Sequence, residues 1–475
     1  MHLKKIFHSS RSPIFTAVVL ALSINGCAVG PTYQRPTVPD VNHFKEAEGW
    51  VPAAPADALE RGPWWQLFGD PVLDQLAARI QVSNQNVAAA VASYAQARAL
   101  VRQQRASLFP SVTLNGGASR GSGTGHVSNN FQVGMGANWE PDVWGRLGRT
   151  IDSASASAQA SAADLASATL SAQGELAVNY LSLRQTDTQK VLLDETIAAY
   201  KRALQITQNS YNAGISAKTD VLQAQTQLAS TQSTAAGLMS QRAQLEHAIA
   251  VLVGEAPGNF SLAPAAWQPT VPEVPVGLPS TLLQRRPDIA AAERHMAAAN
   301  EQIGIAKSAY YPNLPLSASY GFGASQVADL FSAASSVWAI GLSATQLLFN
   351  AGATGAKVEG SEAAYAQTVA QYRQTVLTAF QNVEDQLAAT RVLLTQQDLL
   401  RQASQAADQV EQQVLNRYRS GQVSYTEVIT AQATALSARR ALVQAMADRQ
   451  TTAVALIQSL GGGWQASAGE TARVP

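Results

Sequence analysis

Hydrophobic and polar positions along this chain follow two rhythms that replace one another in turn. A helical spacing runs from Pro71 to about Leu108 and stops at Phe109-Pro110. Proline cannot continue a helix, and it pushes the residue before it toward extended geometry. Alternation then takes over. Val112 and Leu114 lead one segment, and Phe131, Val133, Met135, Ala137 and Trp139 alternate with Gln132, Gly134, Gly136 and Asn138 in a second. Period two over about ten residues predicts a half-buried strand. The Gly/Ser/Asn-rich stretch from Ser119 to Asn130 predicts the loop between the two, a surface turn in which Gly121-Ser122-Gly123-Thr124-Gly125 only faintly resembles a phosphate loop. The helical rhythm then returns, free of proline over residues 146–209, and a second helix is predicted over about 216–253.

The chain writes this theme twice. Tyr311-Pro312 repeats Phe109-Pro110 at an offset of 202. Leu314, Leu316, Ala318, Tyr320 and Phe322 alternate next, then a loop from Gly323 to Ser335, then Trp338, Ile340, Leu342 and Ala344. Helices are predicted over about 351–417 and 423–460. Tyr211, Gly214, Val221, Ala224, Gln225 and Gly254 recur as Tyr418, Gly421, Val428, Ala431, Gln432 and Gly461, all at an offset of 207. Such identities in register argue for an internal duplication. Residues 255–278 hold five prolines and read as the linker between the halves.

Charge sharpens the reading of the strands. Arg120 and Glu140 are the only Lys, Arg, Asp or Glu in residues 107–140, and Asp329 is the only one in 309–350. Aromatics at the hairpin ends (Phe109, Trp144, Tyr310, Tyr311, Phe349) stand where a membrane-interface girdle sits. Their length matches the 9–11 residues of a tilted transmembrane β-strand. For one hairpin alone, packing in a soluble core is the other reading. Four strands do not close a barrel, and open edges are not tolerated in lipid. The chain is therefore expected to share a barrel with copies of itself. Two copies give about eight strands, whose interior side chains fill; three give about 12 and an open pore. A helix of about 64 residues would be roughly 95 Å long. The apolar stripes are mostly alanine, with Gln, Ser and Thr on the other face. A periplasmic coiled-coil rod accounts for such helices and leaves both hairpins unexplained.

Composition removes several functions. The 33 basic and 33 acidic residues cancel, and without a basic tract the chain does not suit nucleic acid. The lone cysteine excludes a disulfide scaffold or a cysteine-based metal site. No HExxH or P-loop is present. No catalytic or metal-binding residue is assigned, and no enzyme function is expected. Arg285-Arg286-Pro287-Asp288 reads as the opening of a helix.

Lys4, Lys5 and Arg11 precede an eleven-residue apolar run, Ile14 to Ile24, too short to span a bilayer and suited to an export signal. The run leads into Ile24-Asn25-Gly26-Cys27, which resembles a bacterial lipobox. Ordinary signal-peptidase cleavage, with Cys27 a spectator, is the alternative. Lipidation of Cys27 would anchor the chain through several acyl chains, and by analogy with Gram-negative lipoproteins Ala28 favours the outer membrane. The expected layout is a lipoprotein signal over 1–26 and an extended tail over 27–62. A first repeat follows over 63–257, with strands at about 108–120 and 130–141. A Pro-rich linker covers 258–278. The second repeat covers 279–464, with strands at about 312–324 and 335–348, before a C-terminal tail over 465–475.

Several segments resemble the TolC-type outer-membrane efflux proteins, in their OprM-like lipoprotein branch. They are Gly26 to Pro36 (GCAVGPTYQRP), Trp64 to Asp70 (WWQLFGD), Leu282 to Ile289 (LLQRRPDI), Ile303 to Pro312 (IGIAKSAYYP) and Leu460-Gly461-Gly462-Gly463-Trp464. The resemblance implies a mainly α fold with a membrane β-barrel part and a duplicated helix–hairpin–helix unit. Four strands per chain would form a shared barrel of about 12 strands in a homotrimer, continued by a long periplasmic α-helical barrel. It implies the exit duct of a tripartite efflux system, passively exporting small molecules such as drugs. The helix tips would dock an inner-membrane pump through a periplasmic adaptor. The protein would sit in the outer membrane, with no cofactor beyond the covalent lipid on Cys27 and no nucleic-acid partner. A protein-secretion duct of the same fold and a non-conducting lipoprotein scaffold are the alternatives.

The family closes its periplasmic end with tyrosine, arginine and aspartate near the turns between the long helices. Those turns here are Tyr211-Asn212-Ala213-Gly214 and Tyr418-Arg419-Ser420-Gly421. Tyr418 matches the family tyrosine, and Thr219 with Asp220 its first-half polar pair. Glu427 stands at one family aspartate; the next is Thr430 here, and the arginine of some members is Val423, so the acidic double ring is thinned. Read from the residues alone, Gly214 and Gly421 supply a left-handed conformation at a helix end. Asp220 and Glu427 fall in the next helices' first turns, where acids complement the dipole. Capping and gating both stand open for these two acids. Around a trimer axis each would appear three times and make an aperture sensitive to pH.

Overall fold

The computed structural model describes residues 29–37, 44–46, 63–123, 126–272, 274 and 286–462. The signal over 1–26, Cys27, Ala28, Arg285, Trp464 and the tail over 465–475 lie outside these. The described elements, in chain order, are α1 (Pro71–Ser83), α2 (Gln85–Ala106), β1 (Ser111–Gly123), β2 (His126–Trp139), α3 (Arg146–Asn212) and α4 (Lys218–Leu252). They continue with α5 (Pro287–Ser308), β3 (Leu316–Ala324), β4 (Ser336–Leu342), α6 (Ala353–Arg419) and α7 (Tyr425–Ser459). α5 opens on Pro287 with Asp288 in its first turn, the helix start that the sequence predicts.

The chain forms two compact units, and each takes matching pieces from both repeats. One comprises Met1–Thr37, Tyr94–Ser161 and Ala292–Tyr372; the other comprises Val38–Ser93, Ala162–Ala291 and Arg373–Pro475.

The first unit carries one antiparallel sheet in the order β1-β2-β3-β4. β1 and β2 extend further toward their turn than expected. Ser119 pairs with Asn130, Arg120 with Asn129, and so on to Gly123 with His126. The stretch expected as a loop is therefore mostly ladder, Gly121–Gly123 are strand residues, and the strands lie at 111–123 and 126–139 rather than 108–120 and 130–141. Ladder hydrogen bonds need only backbone groups, so glycine, serine and asparagine did not stop them. β3 and β4 are shorter than expected. Pro315 has no N–H to give the ladder, and beyond it only the Asn313–Thr345 bridge and the Ser343 N–H to Pro315 carbonyl bond (3.1 Å) continue the pairing.

Below the sheet the N-terminal segment is laced to helices. Val29 N–H donates to the Trp144 carbonyl at 3.2 Å. Arg149 donates to Glu301 (2.5 Å) and to the Pro31 carbonyl (3.2 Å). Tyr33 packs on the buried alanines Ala156, Ala297 and Ala298. Arg35 donates to the Tyr372 hydroxyl at 3.0 Å. Burial, with Glu293 next, holds the Tyr33 phenol above its ordinary range.

In the second unit Trp64, Trp65 and Phe68 are buried, their rings meeting edge to face. Asp70 caps α1, accepting from the N–H groups of Val72 and Leu73, while Pro71 occupies the first helical position. The other Asp70 oxygen accepts from Tyr180 Oη at 2.7 Å. Asn84 caps α2 through the Val87 N–H and donates to the Leu252 carbonyl at 2.7 Å, seating the α1–α2 corner on the end of α4. The proline-rich linker is held as well. Arg184 donates to the Ala263 carbonyl, Arg242 to the Leu262 carbonyl, and the buried Gln450 to the carbonyls of Gln268 and Thr270. Phe44 is buried against Phe380, and the Glu384 carboxylate accepts from the N–H groups of Lys45 and Glu46.

Asp187 sits between Arg184 (3.2 Å) and Arg242 (2.7 Å), with only 5% of its side chain exposed. Removing it strands a buried guanidinium. Asp187→Ala should cost about 3–5 kcal/mol and lower the melting temperature of the purified protein by circular dichroism; Asp187→Asn should fall between. Asp74 has a buried carboxylate oxygen without a partner among the described residues. Burial raises its pKa, with Asp70 adding to it. A raised folded-state value means that ionised Asp74 costs stability at neutral pH, and that the cost vanishes below the unfolded carboxylate value of about 3.9. Asp74→Asn should therefore raise the melting temperature at pH 7, with the gain shrinking as pH falls below about 4.

Candidate functional site

The register sorts the sheet into two chemically different faces. One carries Val112, Leu114 and Ala118 on β1, Phe131, Val133, Met135, Ala137 and Trp139 on β2, Leu316, Ala318, Tyr320 and Phe322 on β3, and Trp338, Ile340 and Leu342 on β4. Most of its large side chains are exposed in the single chain, Leu114 by 74% and Ile340 by 77%. The opposite face carries Thr113, Asn115, Gln132, Asn138, Ser317 and Ser319, with glycines between them, and on β4 Val337, Ala339 and Gly341. Gly134 and Gly321 stand opposite one another, and a Cβ on Gly321 would lie 2.8 Å from the Gly134 Cα. β1 and β4 are the sheet's edges. Lipid on one side and water on the other is what such a sheet suits. Among the described residues no helix is long and apolar enough to cross a membrane, and no cluster of His, Cys, Asp or Glu is placed to hold a metal.

In the second unit the long helices turn back on themselves at two tips. Gly214 and Gly421 have φ of 76° and 72°, left-handed values that close each helix. Gly214 N–H donates to the Tyr211 carbonyl, and Gly421 N–H to that of Tyr418, both at 2.9 Å. Asp220 lies in the first turn of α4, half-buried, beside exposed Thr219; Glu427 lies in the first turn of α7, exposed. Glu427 Oε1 accepts from the Ser424 N–H at 3.4 Å, as the N3 residue of a capping box does. Tyr418 is half-buried against Tyr425, ring centroids 5.5 Å apart, and joins a core with Ala224 and Val428. Thr430 is exposed and Val423 half-buried.

The two tips differ where their sequences differ. Buried Tyr425 in the second half corresponds to Lys218 in the first, whose ammonium lies 5.3 Å from the Tyr211 ring centroid. Burial pushes the Tyr425 phenol above its ordinary value, with its hydrogen bond to Thr207 opposing the shift. Ser424 corresponds to Ala217, which has no side chain to cap α4. Thr426 Oγ1 donates to Gln223 Oε1 at 3.3 Å, tying the start of α7 to α4. Sequence reasoning missed Gln223, Lys218 and Tyr425. Their signal was present in the register of 207 as the positions where the halves disagree.

The chain matches the family model described as "Outer membrane efflux protein" over residues 76–255 and 278–462. The chain belongs to the outer membrane efflux protein family. It is 30% identical to the probable efflux pump outer membrane protein TtgC of Pseudomonas putida, over 96% of this chain and 97% of that one. It is 33% identical to the pyoverdine export outer membrane protein OpmQ of Pseudomonas aeruginosa, over 88% and 90%. The cation efflux system protein CusC of Escherichia coli is 29% identical, over 94% and 98%. Among solved structures the outer-membrane channel OprN superposes with a TM-score of 0.85 at 30% identity, covering 93% of this chain and 100% of that one. The open-state MtrE channel of Neisseria gonorrhoeae gives 0.84 at 27% identity, over 92% and 99%.

This outer membrane efflux protein has the TolC-like fold and is a channel component, the exit duct of a tripartite efflux system, not an enzyme. It resides in the outer membrane. Left-handed glycines close both helix tips, so an added Cβ there is strained. Gly421→Ala should cost about 1–2 kcal/mol, read as a lower thermal midpoint, with Gly214→Ala giving a similar loss.

Proposed function

We propose that three copies of this chain close one barrel of about 12 strands in the outer membrane, and that the pore passes small molecules handed on by an inner-membrane pump through a periplasmic adaptor. The observation that carries this is the pair of strand edges, β1 and β4, on a sheet with one apolar and one polar face. In lipid each edge needs a partner, and copies of the same chain supply one without a new fold. The water-facing side carries mostly amides, hydroxyls and glycines, with Val337 and Ala339 on β4, and no Lys, Arg, Asp or Glu among the described strand residues. A neutral wall does not discriminate by charge. That agrees with relatives named for cargoes as different as pyoverdine and a cation. Choice of cargo then rests with the pump.

Covalent lipid on Cys27 would anchor each copy close to the sheet, since Val29 is bonded to Trp144 just after β2. The adaptor would meet the helix tips. An open groove of about 410 Å³ there, lined by Val410, Val414, Glu427, Thr430 and Thr434, offers an apolar floor with a polar rim. Thr219, Asp220, Tyr418 and Glu427 are the aperture candidates. Asp220 and Glu427 would each recur three times about the axis, while Tyr418 supports the second tip from within.

Planar-bilayer conductance tests this reading. The purified protein should run as a trimer and conduct weakly at rest. Asp220→Ala and Glu427→Ala should raise conductance. No conductance in any of the three proteins would favour a non-conducting scaffold. Secretion of an unfolded protein substrate, with no small-molecule efflux in cells, would favour a protein-secretion duct.

A further inference from the structure

Arg120 is the one Lys, Arg, Asp or Glu among the described residues of the four strands. The register puts it on the apolar face rather than the polar one, since it shares the parity of Val112, Leu114 and Ala118. Rows on that face run outward from the helix ends toward the β1–β2 turn. Leu114, Met135, Tyr320 and Trp338 form one, Val133 and Phe322 the next, and Ala118, Phe131 and Ala324 the last apolar row. Arg120 opposite Asn129 comes immediately after. On β2 this face runs from Trp139 past Asn129 to Val127, which is paired with Ser122. The span from Trp139 to Asn129 is about 34 Å along a strand, or about 25 Å across a membrane at the usual tilt, the height of the apolar band in such barrels. The Arg120–Asn129 row therefore lies at the outer edge of the hydrocarbon, where headgroups begin.

No described residue forms an ion pair or hydrogen bond with the Arg120 guanidinium, which is exposed. A cation that faced only lipid tails would be destabilising; at the interface the cost nearly vanishes. There the side chain can extend along the surface to the polar layer. Guanidinium binds phosphate through two parallel N–H donors, and the Asn129 amide stands opposite as a further donor. We propose that Arg120 with Asn129 binds the phosphate of a phosphorylated lipid headgroup in the outer leaflet. This rests on the reading that the apolar face meets lipid.

The test uses the full-length purified protein in detergent, titrated with diphosphorylated lipid A, with the same lipid stripped of phosphate, and with inorganic phosphate, read by native mass spectrometry. The wild type should bind the phosphorylated lipid at least about ten-fold more tightly than the stripped one. Arg120→Gln should lose that preference, and Arg120→Lys should keep part of it. Equal retention by Arg120→Gln, or no preference for phosphate in the wild type, overturns the proposal. So does complete displacement by millimolar inorganic phosphate, which would mark a site for the free anion. Arg120→Gln channels that conduct like the wild type, with lipid preference unchanged, overturn this site alone. A wild type that neither inserts nor conducts overturns the duct reading and this site together.

Discussion

Every backbone N–H and C=O that enters hydrocarbon must find a partner within protein, and in this chain that requirement outranks side-chain preference. It explains why the β1–β2 ladder is unbroken across its apolar rows, where a gap would leave polar backbone exposed to lipid at several kcal/mol for each group. It explains as well why the pairing of β3 with β4 becomes irregular only where Pro315 withdraws a donor. The two sheet faces are a second consequence. With the backbone settled, side chains are free to differ between lipid and water, and on β1, β2 and β3 the register divides most of them, while Val337 and Ala339 on β4 fall on the polar side.

Away from the membrane the problem is reversed. Alanine-rich helices bury little area per residue, so close approach and directional polar bonds fix their arrangement. A Cβ on Gly254 would lie 2.1 Å from the Ser83 carbonyl oxygen, so that helix end and the α1–α2 corner touch through backbone. The partly buried chain of Asp70, Tyr180, Arg184, Asp187 and Arg242 selects one arrangement among many that an alanine surface would accept. Such networks favour specificity over raw stability, because an apolar replacement often packs as well.

The strands were legible because alternation without charge has few other meanings, and the helices because a long run without proline has few other outcomes. The turn glycines were legible for the same reason, since Gly214 and Gly421 end helical runs in both halves. Other features depend on residues far apart in sequence. Nothing local marks Asn84 as the cap that also grips Leu252, or Asp187 as the acid shared by two arginines. The linker's prolines announced an extended segment, but not that Arg184, Arg242 and Gln450 would hold it in place. The helix tips were half legible: duplication located them, whereas their unlike behaviour came from Tyr425 finding a buried site that Lys218 cannot use.

The N-terminal segment bonds to partners that the second repeat supplies. Tyr33 reaches Glu293, 260 residues away, and Lys45 reaches Glu384, 339 residues away. A chain that emerges from a translocation channel with its amino end leading therefore presents these residues long before their partners. The first part to leave is among the last to settle. Until then Phe44 lacks its aromatic partner Phe380, and the segment must be kept from aggregating across the interval that separates its own arrival from that of α6.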